Sequence, residues 1–190
     1  MKLREYQNNI AIQAANKLTA FGCCYLSMEC RTGKTLTALY AADKFNAKRV
    51  LFITKLKAIP SVKNDYIALQ PSFKLEVVNF ESSHKVTGKY DLVIIDEAHS
   101  LGAYPKPSKR TQEIRTICEG LPVLYLSGTP SPESYSQLYH QFWVCSKSPW
   151  KSYKSFYKWA KEYVYTRQKR VNGYLINDYS CANKPKIDND

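Results

Sequence analysis

Residues 23–45 carry a short apolar run, a tight turn and a helical pattern in that order, and this succession constrains the chain more than any other feature. Cys23 to Leu26 is apolar and strand-length. Met28-Glu29-Cys30-Arg31-Thr32-Gly33-Lys34-Thr35 follows, and Ala38, Ala41, Ala42 and Phe45 then recur at helical spacing. A turn ending Gly-Lys-Thr between a strand and a helix aims backbone N–H groups and the positive helix end at one point, which favours anionic oxygens. Gly33 lets the backbone come close, Lys34 can reach the β/γ-phosphates of a nucleotide, and the Thr35 hydroxyl can hold Mg²⁺. Arg31 and Thr32 lie within the same loop, Arg31 without an assigned role. Met28 stands where the G-x-x-x-x-G-K-[ST] pattern has its first glycine. On this stretch alone, a purely structural Gly-Lys-Thr turn remains open.

A second stretch narrows the choice. Leu92-Val93-Ile94-Ile95 is apolar throughout, as in a strand buried on both faces, and Asp96-Glu97-Ala98-His99 follows at its tip. Beside a phosphate loop, Asp96 is positioned to hold Mg²⁺ through water and Glu97 to orient and deprotonate an attacking water. An Asp-Glu pair also starts helices, but that account weakens once Gly33-Lys34-Thr35 precedes it. His99 is assigned coupling rather than proton transfer. A third apolar run, Pro122 to Leu126, ends in Ser127-Gly128-Thr129-Pro130. The carboxyl edge of an open α/β sheet is its ligand crevice, so three strand ends present phosphate, metal and hydroxyl chemistry together.

The remaining elements fit the same plan. Ile10, Ala11, Ala14, Ala15 and Leu18 mark an amphipathic helix over residues 4–20, ending near Phe21-Gly22. Gln7 at its start either reads adenine through its amide or is an exposed first-turn residue. Arg49 to Thr54 is a buried strand; Thr54 and Lys55 at its end suit a nucleic-acid backbone or a solvated loop equally. A helix is expected over residues 60–69, a strand from Phe73 to Phe80, a basic Pro-containing loop over 102–110, and a helix through Ile114 and Cys118 closed by Gly120.

Two further helical stretches are rich in rings: Tyr135, Leu138, Tyr139, Phe142 and Trp143, then Trp150, Tyr153, Phe156, Tyr157, Trp159 and Tyr163. Lys147, Lys151, Lys154, Lys158 and Lys161 interleave with them. The rings either stack nucleobases or pack on the body with the lysines solvated. Gln168 to Ile176 reads as a hairpin turning at Asn172-Gly173. Asn183 to Asp190 reads as a frayed polar tail.

Composition sets outer limits. The 190 residues suit one domain plus a short appendage, and no apolar run approaches the ~18 residues of a membrane span, so a soluble, cytoplasmic protein is expected (host cytoplasm if viral). The six cysteines contain no C-x-x-C pair and read as reduced thiols rather than a zinc site or disulfide framework. A formal charge of +12 suits a polyanionic partner, or solubility alone.

Taken in order, the motifs resemble the first motor domain of superfamily 2 (DEAD/DEAH-type) DNA helicases and translocases, nearest the SWI/SNF-like translocases and their compact phage and bacterial relatives. The resemblance rests on Leu3 to Gln7, Met28 to Thr35, Phe52 to Ile59, Asp96 to His99 (in the place of the DEAH box) and Leu126 to Pro130, across residues 3–145. It implies a RecA-like P-loop α/β fold with a mostly parallel sheet flanked by helices, over residues 1–145, followed by a helical and hairpin extension over 146–190. It also implies ATP and Mg²⁺ as ligands and DNA as partner. Gln7 would contact adenine; Arg31, Thr32, Gly33, Lys34 and Thr35 would line the phosphates, with Thr35 and Asp96 on the metal. Glu97 and Lys34 would be catalytic, Ser127, Gly128 and Thr129 with His99 would relay nucleotide state, and Thr54 and Lys55 would meet the nucleic acid. Similar proteins often carry Pro in place of Lys55. They also carry a second RecA-like domain with an arginine worth ~10³–10⁵ in hydrolysis, and Arg167 and Arg170 do not lie in a matching pattern. The expectation is an N-terminal half that binds ATP, hydrolyses it weakly and takes a second RecA-like domain or chain as partner. The alternative is a stand-alone DNA-binding or motor-capping accessory protein.

Overall fold

Four apolar runs and one partly alternating stretch, Lys74–Asn79, form the strands of one parallel sheet. The strands are β1 (Cys23–Ser27), β2 (Arg49–Thr54), β3 (Lys74–Asn79), β4 (Leu92–Ile95) and β5 (Val123–Ser127), ordered β1-β5-β4-β2-β3. The computed structural model describes residues 3–29 and 31–188; Cys30, one of the cysteines read as a reduced thiol, and the extreme ends of the chain lie outside them. Every pairing in the sheet is parallel. From Leu92 to Ile95 and from Val123 to Ser127 every residue is buried, which explains why neither strand alternates in the sequence.

Alternation survives in where the side chains go. Val50, Phe52, Leu92, Ile94, Leu124 and Leu126 face one core, against α1 (Glu5–Phe21), α2 (Lys34–Lys44) and α3 (Ile59–Leu69). Leu51, Ile53, Val93, Ile95, Val123 and Tyr125 face the other, with Ile114 and Cys118 from α4 (Lys109–Ile117) and its end. Ala11, Ala14, Ala38, Ala41 and Ala42 are nearly inaccessible, so α1 and α2 approach the sheet and each other through small side chains. Gly22 closes α1 in the left-handed region (φ 71°), its N–H donating to Leu18 O at 2.8 Å. This is a RecA-like α/β sheet with helices on both faces.

A third core joins α5 (Gln137–Trp143), α6 (Phe156–Tyr163) and the C-terminal segment. Tyr139, Trp150, Phe156, Trp159 and Tyr163 are buried together, and the Trp159 and Tyr163 rings stack at 5.1 Å. Lys151, Lys154, Lys158 and Lys161 are exposed. The buried rings of these helices are therefore packing residues, and the base-stacking option is withdrawn for them, while Tyr157 stays exposed at 44%. The expected frayed tail is also corrected. Val164 bridges Ala182, Asn183 N–H donates to Tyr163 O at 2.7 Å, and a short helix α7 (Lys184–Asp188) seats Ile187 in the aromatic cluster. One apolar residue among polar neighbours carried no periodic signal. Between α6 and α7, β6 (Arg167–Val171) and β7 (Tyr174–Asp178) form the expected hairpin, with Asn172 at φ 49° and Gly173 at φ 83° as its turn requires.

The five described cysteines are free thiols. Among the described residues, no helix is long and apolar enough to cross a membrane.

Candidate functional site

The loop between β1 and α2 is shaped by two left-handed residues, Arg31 (φ 63°) and Gly33 (φ 79°). Gly33 caps α2, its carbonyl accepting from Thr37 N–H and Thr37 Oγ1, each at 3.0 Å. A Cβ at Gly33 would stand 2.4 Å from Gln7 Nε2, so only glycine admits this approach. Thr32 Oγ1 donates to Glu29 O at 2.7 Å and Lys34 Nζ to the same carbonyl at 3.2 Å. The lysine thus folds back over its own loop, while Thr35 sits half-buried in the first turn of α2.

Helix α1 ties this loop down. The Gln7 side chain is 6% exposed; its Oε1 accepts from Arg4 N–H at 2.9 Å and its Nε2 donates to Thr32 O at 3.1 Å. Tyr6 OH donates to Thr32 O at 2.8 Å, a contact sequence reasoning missed although Tyr6 adjoins Gln7. The exposed first-turn alternative for Gln7 is set aside.

The Asp-Glu pair emerges between β2 and β5, as the sheet order dictates. Asp96 N–H donates to Ile53 O at 2.9 Å, and its Oδ2 accepts from Thr54 Oγ1 at 2.8 Å. Burial raises the Asp96 carboxyl above the usual carboxylate range; the Thr54 hydroxyl opposes this, the neighbouring Glu97 charge adds to it, and the Lys34 ammonium opposes it again. Thr54 itself is fully inaccessible. Its assignment to the nucleic acid is therefore corrected: the last residue of a central strand points its hydroxyl at the next strand's carboxylate, out of reach of any ligand strand.

Glu97 adopts a left-handed conformation (φ 52°), uncommon for a residue with a side chain and concentrated at functional sites. Its carboxylate lies 3.7 Å from Lys55 Nζ through Oε1 and 3.3 Å from His99 Nδ1 through Oε2. His99 Nδ1 also meets Ser127 Oγ at 2.9 Å, and Ser127 Oγ accepts from Thr129 N–H at 3.1 Å. A continuous polar chain thus runs from the end of β2 through the end of β4 to the end of β5. Gly128 lies within the turn that Ser127 and Thr129 close. Beneath it, Tyr25 OH donates to Gln141 Oε1 and Gln141 Nε2 to Pro130 O, both at 2.7 Å. Gln141, fully inaccessible, buttresses this loop from α5; nothing in a ring-rich helix pointed to it.

The structure therefore gathers Gln7, Thr32 to Thr35, Lys55, Asp96, Glu97, His99 and Ser127 to Thr129 at the carboxyl edge of the sheet. A groove of about 920 Å³ lies elsewhere, at the amino end and free edge of β1, lined by Lys17, Phe21, Cys23, Tyr25, Lys147 and Trp150 among others. None of the site residues borders it.

No protein-family model matches the sequence, and no curated protein does. Among solved structures, the chain is similar to a nuclease-deletion mutant of the Type ISP restriction-modification enzyme LlaGI in complex with a DNA substrate mimic. The TM-score is 0.50 at 16% identity, over 69% of this chain and 18% of that one. The likeness is one of fold, and this chain spans under a fifth of that enzyme's length.

Proposed function

We propose that this chain is an ATP-binding, nucleic-acid-dependent ATPase domain, the first RecA-like half of a superfamily 2 DNA helicase or translocase. Residues 1–145 would form the ATP-binding domain and 146–190 its extension. The observation that carries the reading is the convergence of the Gly33-Lys34-Thr35 turn, the Asp96-Glu97 tip and the Ser127–Thr129 turn on one sheet edge, joined by the Glu97–His99–Ser127 contacts. The fold likeness to a restriction-modification enzyme is in keeping with it.

The donor set fits Mg²⁺, a hard cation that takes oxygen ligands. Asp96 is a carboxylate whose charge is disfavoured by burial, and a neighbouring cation offsets that cost. Thr35 Oγ1 and Asp96 would hold the ion. When bound, it neutralises charge on the phosphate oxygens. Lys34 would exchange the Glu29 carbonyl for a phosphate oxygen, and the first N–H groups of α2 would receive the rest. Glu97 would take a proton from water as the water oxygen bonds the γ-phosphorus and the bond to the bridging oxygen breaks, yielding ADP and inorganic phosphate. His99 and Lys55 flank Glu97 and set its orientation. Through His99, Ser127 senses that orientation and passes it to Thr129 at the surface. Gln7 fixes the phosphate loop to α1, so adenine contact by its amide would go together with loop rearrangement.

Binding of a fluorescent ATP analogue tests this directly. Saturable, Mg²⁺-dependent binding lost in Lys34→Ala supports the site; binding unaffected by Lys34→Ala moves the nucleotide elsewhere.

A further inference from the structure

The β6–β7 hairpin is the most solvent-exposed element of the fold. Every residue from Tyr165 to Ile176 is exposed, including large apolar ones: Tyr174 is 76% and Leu175 63% accessible. A lone two-stranded hairpin is marginally stable in water, and one that holds its apolar side chains in solvent is built to be covered. Its charge says by what. Arg167, Lys169 and Arg170 lie on one strand, and the hairpin's single acid, Asp178, is paired to Lys169 at 3.4 Å. Among the described residues, neither Arg167 nor Arg170 makes an ion pair.

Register sorts the ribbon into two faces. Gln168 pairs with Asn177 and Arg170 with Leu175, so one face presents two amides, a guanidinium and a small apolar patch. The other carries Arg167, Lys169, Val171, Tyr174, Ile176 and the lone acid Asp178, which is opposite Arg167 and paired to Lys169. Amides that donate and accept, a guanidinium and an apolar contact are the groups that meet base edges and thymine methyls, while the remaining bases suit phosphates. Five residues per strand make a ribbon about 17 Å long, and two strands about 5 Å apart with their side chains fit a B-form major groove of about 12 Å. The deep, narrow major groove of A-form RNA does not admit it.

We propose that the β6–β7 ribbon is a duplex-DNA-binding element that enters the major groove. This deepens the nucleic-acid part of the reading above but does not depend on the nucleotide site, some distance away in sequence and on other elements. Binding of the full chain to a labelled 30-base-pair duplex, followed by anisotropy across a salt series, tests it. Arg167→Ala/Arg170→Ala is expected to bind about tenfold or more weakly, with a slope of log K against log salt shallower by about 2. Arg167→Lys/Arg170→Lys should recover most of that slope. Fluorescent ATP-analogue binding by each variant reports on the nucleotide site separately: duplex binding through the ribbon without any nucleotide binding keeps this proposal and overturns the ATPase reading. Unchanged duplex affinity and slope in Arg167→Ala/Arg170→Ala overturns the ribbon, as does absence of duplex binding by the parent chain at low salt.

Discussion

Thr54 Oγ1 donates to Asp96 Oδ2 at 2.8 Å, joining the ends of two adjacent parallel strands through side chains neither backbone ladder requires. The hydroxyl is completely buried and supports a carboxylate that burial already disfavours. Thr54→Val, which keeps the shape and deletes the donor, should destabilise the protein by about 1–3 kcal/mol at pH 7, as removal of a buried partner to a charged group does. Thr54→Ser should recover most of it. Urea unfolding measures both.

The approach of Gln7 to Gly33 yields a second expectation. Gly33→Ala forces a left-handed alanine and a clash with the Gln7 amide. Loss of about 1–2 kcal/mol is expected from the backbone conformation alone, together with loss of ATP-analogue binding. Gln7→Ala/Gly33→Ala relieves the clash but not the φ strain, so it should regain stability only in part. A double-mutant cycle by chemical unfolding reads the coupling.

His140 supplies a pH dependence. Buried between α5 and the chain at Ala103, where its Nδ1 meets Ala103 O at 2.7 Å, it is held neutral, its pKa lowered to about 4 chiefly by burial. The unfolded chain binds a proton there first, so stability from this group is full above the ordinary histidine range. It falls as pH drops from about 6.5 towards about 4, by up to about 3 kcal/mol. His140→Gln should flatten that part of the stability–pH curve, measured by urea midpoints at successive pH values.

Lys55 faces Glu97 at 3.7 Å with most of its side chain in solvent. An exposed pair of this kind contributes under about 1 kcal/mol, so Lys55→Ala should leave the thermal midpoint nearly unchanged. If Lys55 also meets a phosphate of bound DNA, the same variant reduces the salt slope of DNA binding by about 1, again without a fold effect. Anisotropy titrations at several salt concentrations decide it.

Much of the sheet is legible because central parallel strands buried on both faces read as apolar runs: Arg49 to Thr54 coincides with β2, and the runs before Ser27, Asp96 and Ser127 mark the ends of β1, β4 and β5. The gathering of these polar residues is legible for a related reason, since polar residues directly after such runs must emerge at one sheet edge. What the sequence did not disclose is which of those residues turn inward. Thr54 looks like an edge hydroxyl until the neighbouring strand is known to place Asp96 beside it. Gln7 and Gln141 are buried amides whose partners, Thr32 and Pro130, are 25 and 11 residues away. The rings from Trp150 to Tyr163 left packing and stacking open because helical spacing shows which residues share a face, and nothing in it shows whether protein or ligand covers that face. Ile187, alone among polar neighbours, gave no sign that the tail folds back.

The most direct test of the central claim is phosphate release from ATP in Mg²⁺, with and without duplex and single-stranded DNA, by the parent chain and Glu97→Gln. The account predicts slow, Mg²⁺-dependent turnover raised by DNA, falling about 10²-fold or more in Glu97→Gln while that variant still binds the ATP analogue. Turnover that survives Glu97→Gln, or a parent chain that neither binds nor hydrolyses ATP, would contradict it.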